Sequence, residues 1–149
     1  MPRTETAIEL VARLKPVIAG NHELSKDVAE ALGKCVHRRT TRHYIVGGND
    51  YDCGFTCNDC GKDTSSERLP ALTTSVSDAL SFLQELTRDA PSRVYIGLQE
   101  NRWSDQKLAE ARRWTCFLEW SDDGENIEIN GTAHTAPIAM CIAALRYRA

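Results

Sequence analysis

Six cysteines and four histidines are the side chains in this 149-residue chain best suited to chemistry. The cysteines are Cys35, Cys53, Cys57, Cys60, Cys116 and Cys141, and His37 and His43 stand among the first four. Zinc takes four tetrahedral ligands from exactly these residue types. Cys57-Asn58-Asp59-Cys60-Gly61 is a knuckle: two intervening residues let both sulfurs reach one ion, and Gly61 permits the tight turn. Cys35-Val36-His37 supplies a second pair. Nineteen residues lie between His37 and Cys57, enough for a β-hairpin. We assign Cys35, His37, Cys57 and Cys60 as ligands of a structural zinc ion. Cys53 competes for one position and His43 for another. Lys34, Arg38 and Arg39 are placed to offset the surplus negative charge of three thiolates, and Phe55 is expected to pack beside the site. Four protein ligands close the metal's shell, which points to scaffolding rather than catalysis. The alternative is a metal-free hairpin with redox-active thiols.

The remaining candidates are weaker. Cys116 and Cys141 sit in apolar runs and read as core residues. His134 reads as a surface turn before a helix, and Asp122, Asp123, Glu125 and Glu128 as solvated hairpin charges. Arg38, Arg39 and Arg42 form a basic stretch able to touch an anion or nucleic acid, or else the solvated flank of the zinc site. The chain has no HExxH, GxxxxGK[ST], GxSxG or GxGxxG pattern, so no catalytic residue is assigned and enzymatic activity is left open.

The elements that must position the ligands follow from periodicity. Ile8, Val11, Leu14 and Ile18 form the stripe of a first helix, which Pro16 ends near Lys15. Asn21 caps a second helix with Leu24, Val28 and Leu32 on one face and Gly33 as its stop. A strand over 43–46, a turn at 47–50 and a returning strand over 51–56 make the hairpin. Ser75 caps a third helix with Val76, Leu80, Leu83 and Leu86 inward. Val94, Ile96 and Leu98 line one face of a strand. A short helix over 105–111 is capped by Ser104. Trp114, Cys116, Leu118 and Trp120 face one way along the next strand, with Thr115, Phe117 and Glu119 facing the other. Asp122-Asp123-Gly124 turns into a strand over 125–130, and Thr135 caps a final helix whose inner face is Ile138, Cys141, Ile142 and Leu145. The fold class is α+β. Phe117, opposite the tryptophans, predicts a sheet covered on both faces, hence an α/β/α sandwich around a small, mostly antiparallel sheet, preceded by N-terminal helices and a zinc-ribbon-like β-hairpin.

Composition agrees with a globular domain: 42% of residues are hydrophobic and 26% charged. Charge is uneven. Residues 1–44 hold eight basic and five acidic side chains, 45–68 two and five, and 69–149 eight and eleven. The chain divides accordingly into an N-terminal helical segment (1–34), a zinc-binding hairpin (35–68) and a sandwich core (69–149), packed as one unit. Its formal charge of −3 argues against a general nucleic-acid binder. The opening MPRTETAIELVARLKP alternates charged and apolar residues, unlike a secretory leader, so a cytoplasmic location is expected.

Three stretches carry a family likeness. HTAPIAMCIAALRYRA is similar to the closing helix of small phage and prophage proteins with the "ABA sandwich" domain. LPALTTSVSDALSFLQEL resembles that family's helix entry, and NHELSKDVAEALG its N-terminal segment; Leu72 stands where an aromatic is common and Ser25 where an aspartate is. The resemblance runs from Ile8 to Arg146. It implies a phage or prophage origin, a bacterial host cytoplasm and the α/β/α sandwich, and it transfers no catalytic residues. The functional expectation is a zinc-stabilised binding protein that modulates the host, for example in anti-defence, through a host protein or a sequestered nucleotide. A nucleic-acid-associated accessory protein is the first alternative and an enzyme of unknown class the second. No membrane partner is expected, and the oligomeric state is left open, a homodimer included.

Overall fold

A computed structural model describes residues 6–44, 53–64, 69–101 and 113–148. In chain order these form α1 (Ala7–Leu14), α2 (His22–Ala31), β1 (Thr40–Tyr44), β2 (Cys53–Cys57), α3 (Val76–Leu86), β3 (Tyr95–Glu100), β4 (Trp114–Asp122), β5 (Glu125–Ala133) and α4 (Ala136–Arg148). The fold is mixed α+β. Strands β1 and β2 form one antiparallel pair, and β3-β4-β5 a three-stranded antiparallel sheet with β4 in the centre. The turn expected at 47–50 and the helix expected at 105–111 lie outside the described residues.

The core is built around α4. Every residue from Ala136 to Leu145 is buried, not only the four expected on one face. A helix that is apolar all round must be covered all round. Here β5 and β4 cover one side, while α3, α1 and α2 cover the others. On the sheet, Cys116 and Leu118 are fully buried, with Trp114 and Trp120 packed against the same cluster. The alternation expected along β4 is therefore the real one. At Gly131, buried in β5, an added Cβ would lie 2.5 Å from the Ala139 carbonyl oxygen and 2.6 Å from the Ala143 nitrogen. Only a missing side chain lets strand and helix approach so closely.

Several faces differ from expectation. In α1 the buried residues are Leu10, Val11 and Leu14, while Ile8 is 78% exposed and Ile18 71%. Ile8 sits about 200° around the helix from Leu10, and Ile18 lies beyond the end of the helix. In α3, Ala79 and Leu83 are buried and Val76 is exposed. Leu98, near the end of β3, is exposed as well. At α4 the Thr135 carbonyl accepts from Ala139 N–H, but the expected side-chain cap is not made: Thr135 Oγ1 has no hydrogen-bond partner among the described residues.

The caps at Asn21 and Ser75 form as expected, each side-chain oxygen accepting from the backbone N–H three residues on. A capping box at Thr6 and Glu9, whose spacing was present in the sequence, starts α1. The β4–β5 hairpin turns through Asp123 and Gly124, both at positive φ (48° and 81°), the type I′ geometry that matches strand twist.

A buried hydroxyl network ties α2 to the segment before α3. Thr73 Oγ1 accepts from Asn21 N–H at 3.1 Å and donates to the Asn21 carbonyl at 2.9 Å. Ser25 Oγ lies 2.8 Å from Thr73 Oγ1 and accepts from Thr73 N–H at 3.0 Å. Ser25, Leu72 and Thr73 are all buried.

Two outcomes are expected. Gly131→Ala forces strand and helix apart and costs about 2 kcal/mol, measurable by urea unfolding. Thr73→Val strands Ser25 and Asn21 and costs about 1–3 kcal/mol; adding Ser25→Ala should restore part of the loss, whereas independent sites would add.

Candidate metal centre

The four assigned residues meet. Cys35 Sγ, His37 Nδ1, Cys57 Sγ and Cys60 Sγ all lie within 4.8 Å of one another. Cys35 Sγ is 3.6 Å from Cys57 Sγ and 3.6 Å from His37 Nδ1, and Cys60 Sγ is 3.4 Å from His37 Nδ1. Zinc–sulfur bonds of about 2.3 Å in a tetrahedron put sulfurs roughly 3.8 Å apart, and sulfur to nitrogen slightly less. The observed edges fit one small tetrahedral cation. Among the described residues no other His, Cys, Asp and Glu group converges in this way. Cys53 and His43, the competing ligands, are described only in their backbone pairing, with Tyr44 and Gly54 respectively.

Local chemistry explains how each ligand arrives. Helix α2 ends in a Schellman motif: Gly33 N–H donates to the Glu30 carbonyl (3.0 Å) and Lys34 N–H to the Ala29 carbonyl (2.9 Å), with Gly33 at φ 89°. The chain leaves this stop directly into Cys35. Val36, between the two ligands, is 3% exposed and belongs to the main hydrophobic cluster. His37 then adopts φ 54°, the left-handed region that non-glycine residues rarely occupy. Such a conformation persists where the surroundings over-determine it, and here it accompanies an imidazole turned onto two sulfurs.

The knuckle closes on itself. Gly61 N–H donates to the Cys57 carbonyl and Cys57 N–H to the Lys62 carbonyl, both at 2.9 Å, with Gly61 at φ 76°. Asn58 N–H donates to the Arg39 carbonyl at 2.8 Å, fastening the knuckle to the chain entering β1. Beyond it, Thr64 N–H reaches the Phe55 carbonyl at 2.7 Å. Cys57 is buried at 1% exposed, Cys35 and His37 are half-buried, and Cys60 is exposed. Phe55, expected beside the site, is 40% exposed.

The thiols are electrostatically unequal. Cys57 is pulled down to about 6, chiefly because Cys60 N–H donates to its sulfur, with further help from His37 and Asp59 N–H. Cys35 also accepts from His37 N–H, but burial and the neighbouring Cys57 and Cys60 sulfurs outweigh that bond and hold it up at about 11. A divalent cation removes this inequality, because thiols bind it as thiolates and release their protons.

Arg38 plays a different part from the one expected, while Arg39 keeps some attraction to Cys57 beside its pairing with Asp59. Arg38 faces α2, with ion pairs to Asp27 (2.7 Å), Glu30 (2.9 Å) and Glu23 (3.5 Å). The hydrogen bond to Glu30 is the main reason its pKa is raised. Arg39 pairs with Asp59 inside the knuckle and holds that carboxyl below its usual range. Arg42 is exposed in β1, opposite Phe55. Arg38 thus clamps the ligand loop to α2 rather than neutralising thiolates. Its role was missed, although Glu23, Asp27 and Glu30 sit at helical spacing in the sequence.

No family profile matches the chain, and neither the curated proteins nor the solved structures searched contain a match.

Zinc at about a thousand times its Kd adds ~4 kcal/mol to stability. Cys57→Ser should remove most of this, lowering Tm by roughly 10 °C in the presence of zinc. With chelator present, parent and variant should melt together. A gap equally large with zinc and with chelator would assign the thiol to packing alone.

Proposed function

We propose that this chain is a small phage- or prophage-encoded binding protein, held in shape by a structural zinc ion, that modulates its bacterial host. The role is anti-defence in character: it engages a host protein or sequesters a nucleotide signal. The observation that carries the structural role of the metal is the closed ligand set: four protein ligands at tetrahedral spacing leave no coordination position for water or substrate. The phage origin rests on the sequence resemblance. In the same reading, the zinc-binding hairpin assigned to 35–68 is zinc-ribbon-like: its described strands β1 and β2 pair, and the Thr56–Asp63 bridge adds to them beyond the knuckle. The β3-β4-β5 sheet and α4 are two layers of the α/β/α sandwich in this reading. Support for a covered second sheet face comes from Thr115, buried there and accepting from the Asn101 side-chain N–H at 2.7 Å.

The nucleic-acid alternative is the weaker reading. Arg38 is neutralised by three carboxylates and Arg39 by Asp59, which leaves little positive charge at the stretch that would meet phosphates. No helix among the described residues is long and apolar enough to cross a membrane.

Metal analysis of protein purified without chelator should return one zinc per chain. The zinc-loaded chain, immobilised and exposed to bacterial lysate, should retain a defined host protein or nucleotide, identified by mass spectrometry. A gel shift of DNA or RNA at low salt, lost in Arg38→Ala/Arg39→Ala/Arg42→Ala, would instead establish the accessory-protein reading.

A further inference from the structure

Away from the metal cluster, two clefts flank the segment that leads into β3. One, about 740 Å³, lies between the C-terminal half of α3 and β3, and its walls include Gln84, Arg88, Ser92 and Arg93. Its lining carries two positive charges and no carboxylate. Neither Arg88 nor Arg93 has a carboxylate partner among the described residues. The second cleft, about 580 Å³, lies over β4 and β5 and is lined by Trp120, Asn126, Glu119 and Glu128. Both volumes fall in the range of small-molecule sites. Ser92, Arg93 and Tyr95 form a wall common to both.

The second cleft has an arrangement that stability does not explain. Tyr95, Glu119 and Glu128 stand in one register row across the three strands. Like charges directly opposite each other on a sheet are destabilising, and neither glutamate has an ion-pair partner among the described residues. Tyr95 beside them is 62% exposed, with the Arg93 guanidinium 5.3 Å from its ring centroid. Ser92 Oγ donates to the Ser121 carbonyl at 2.7 Å, which ties the common wall to β4.

We infer that these clefts together form a nucleotide site, with Arg88 and Arg93 receiving the phosphate and the Tyr95–Glu119–Glu128 row receiving a base that presents amino N–H donors. The chemistry is divided as such a ligand requires. Guanidinium groups bind phosphate through charge-assisted, often bidentate hydrogen bonds. Carboxylates accept from ring and exocyclic N–H groups, which a guanine edge supplies as an adjacent pair. An exposed tyrosine ring offers a stacking surface for any base. A ligand lying across the common wall reaches both halves, and Arg93 serves each. This names a ligand class for the binding role proposed above and rests on that role, though not on the metal.

Calorimetric titration of the full zinc-loaded chain tests the site with four probes: guanosine monophosphate, inosine monophosphate, guanosine and inorganic phosphate. Guanosine monophosphate should bind saturably and more tightly than the other three, inosine monophosphate being weaker because it lacks the amino group. Arg88→Ala and Arg93→Ala should each weaken it about tenfold, and Glu128→Gln should erase the preference for guanine over hypoxanthine. All three residues are exposed, so unchanged melting curves should show that the variants fold. Phosphate binding as tightly as the nucleotide, equal affinity in the arginine variants, or no heat with any probe would each overturn the site. A host protein captured by a chain that binds no nucleotide would overturn it too, while leaving the broader binding role standing.

Discussion

The whole molecule depends on covering one helix. Ten consecutive residues of α4 are buried, and none of them is charged. A segment of this kind has no solvent face, so every other layer is placed by the need to enclose it. The sheet takes one side, and three helices take the rest. Strand and helix come close where Gly131 has no side chain to hold them apart. Interiors pack as tightly as organic crystals, so the positions of α1, α2 and α3 around α4 follow from shape as much as from hydrophobicity.

The metal cluster is an extension of that core rather than a separate appendage. Val36 is inserted among the buried side chains, and its neighbours on either side in the chain are both ligands. Arg38 adds an electrostatic tie by lying along the acidic face of α2. Half of the tetrahedron is therefore set by the helical core and half by the knuckle at the end of β2. A cation joining the two halves would close the loop between residues 37 and 57 and so couple metal binding to folding.

The local signals in the sequence proved reliable where they rested on chemistry contained within a few residues. The caps at Asn21 and Ser75, the stop at Gly33, the Asp123-Gly124 turn and the alternation along β4 all depend on contacts across no more than one turn or one strand spacing. The four side chains that converge as a candidate metal site were legible for the same reason, since CxxC and Cys-x-His each present two donors from one short turn. Signals failed where a helix face was chosen by its neighbours. Ile8 and Ile18 fit a three- and four-residue rhythm, yet the rhythm of Leu10 and Leu14 is the one that meets α4. Val76 yielded to Ala79 in the same way. Two stripes of comparable apolarity cannot be ranked until the partner surface is known.

By itself, then, the sequence determined the α+β class, the order of the described elements and the Cys/His quartet that lies close enough to bind a metal ion, because periodicity, capping and ligand spacing are short-range properties. Tertiary structure alone decided that α4 lies at the centre, that Arg38 serves α2 rather than the thiolates, and that Tyr95, Glu119 and Glu128 align across three strands. Those outcomes depend on strand register and on which surfaces meet. Both are set by the enclosure of α4, which joins neighbouring strands to helices from the far end of the chain.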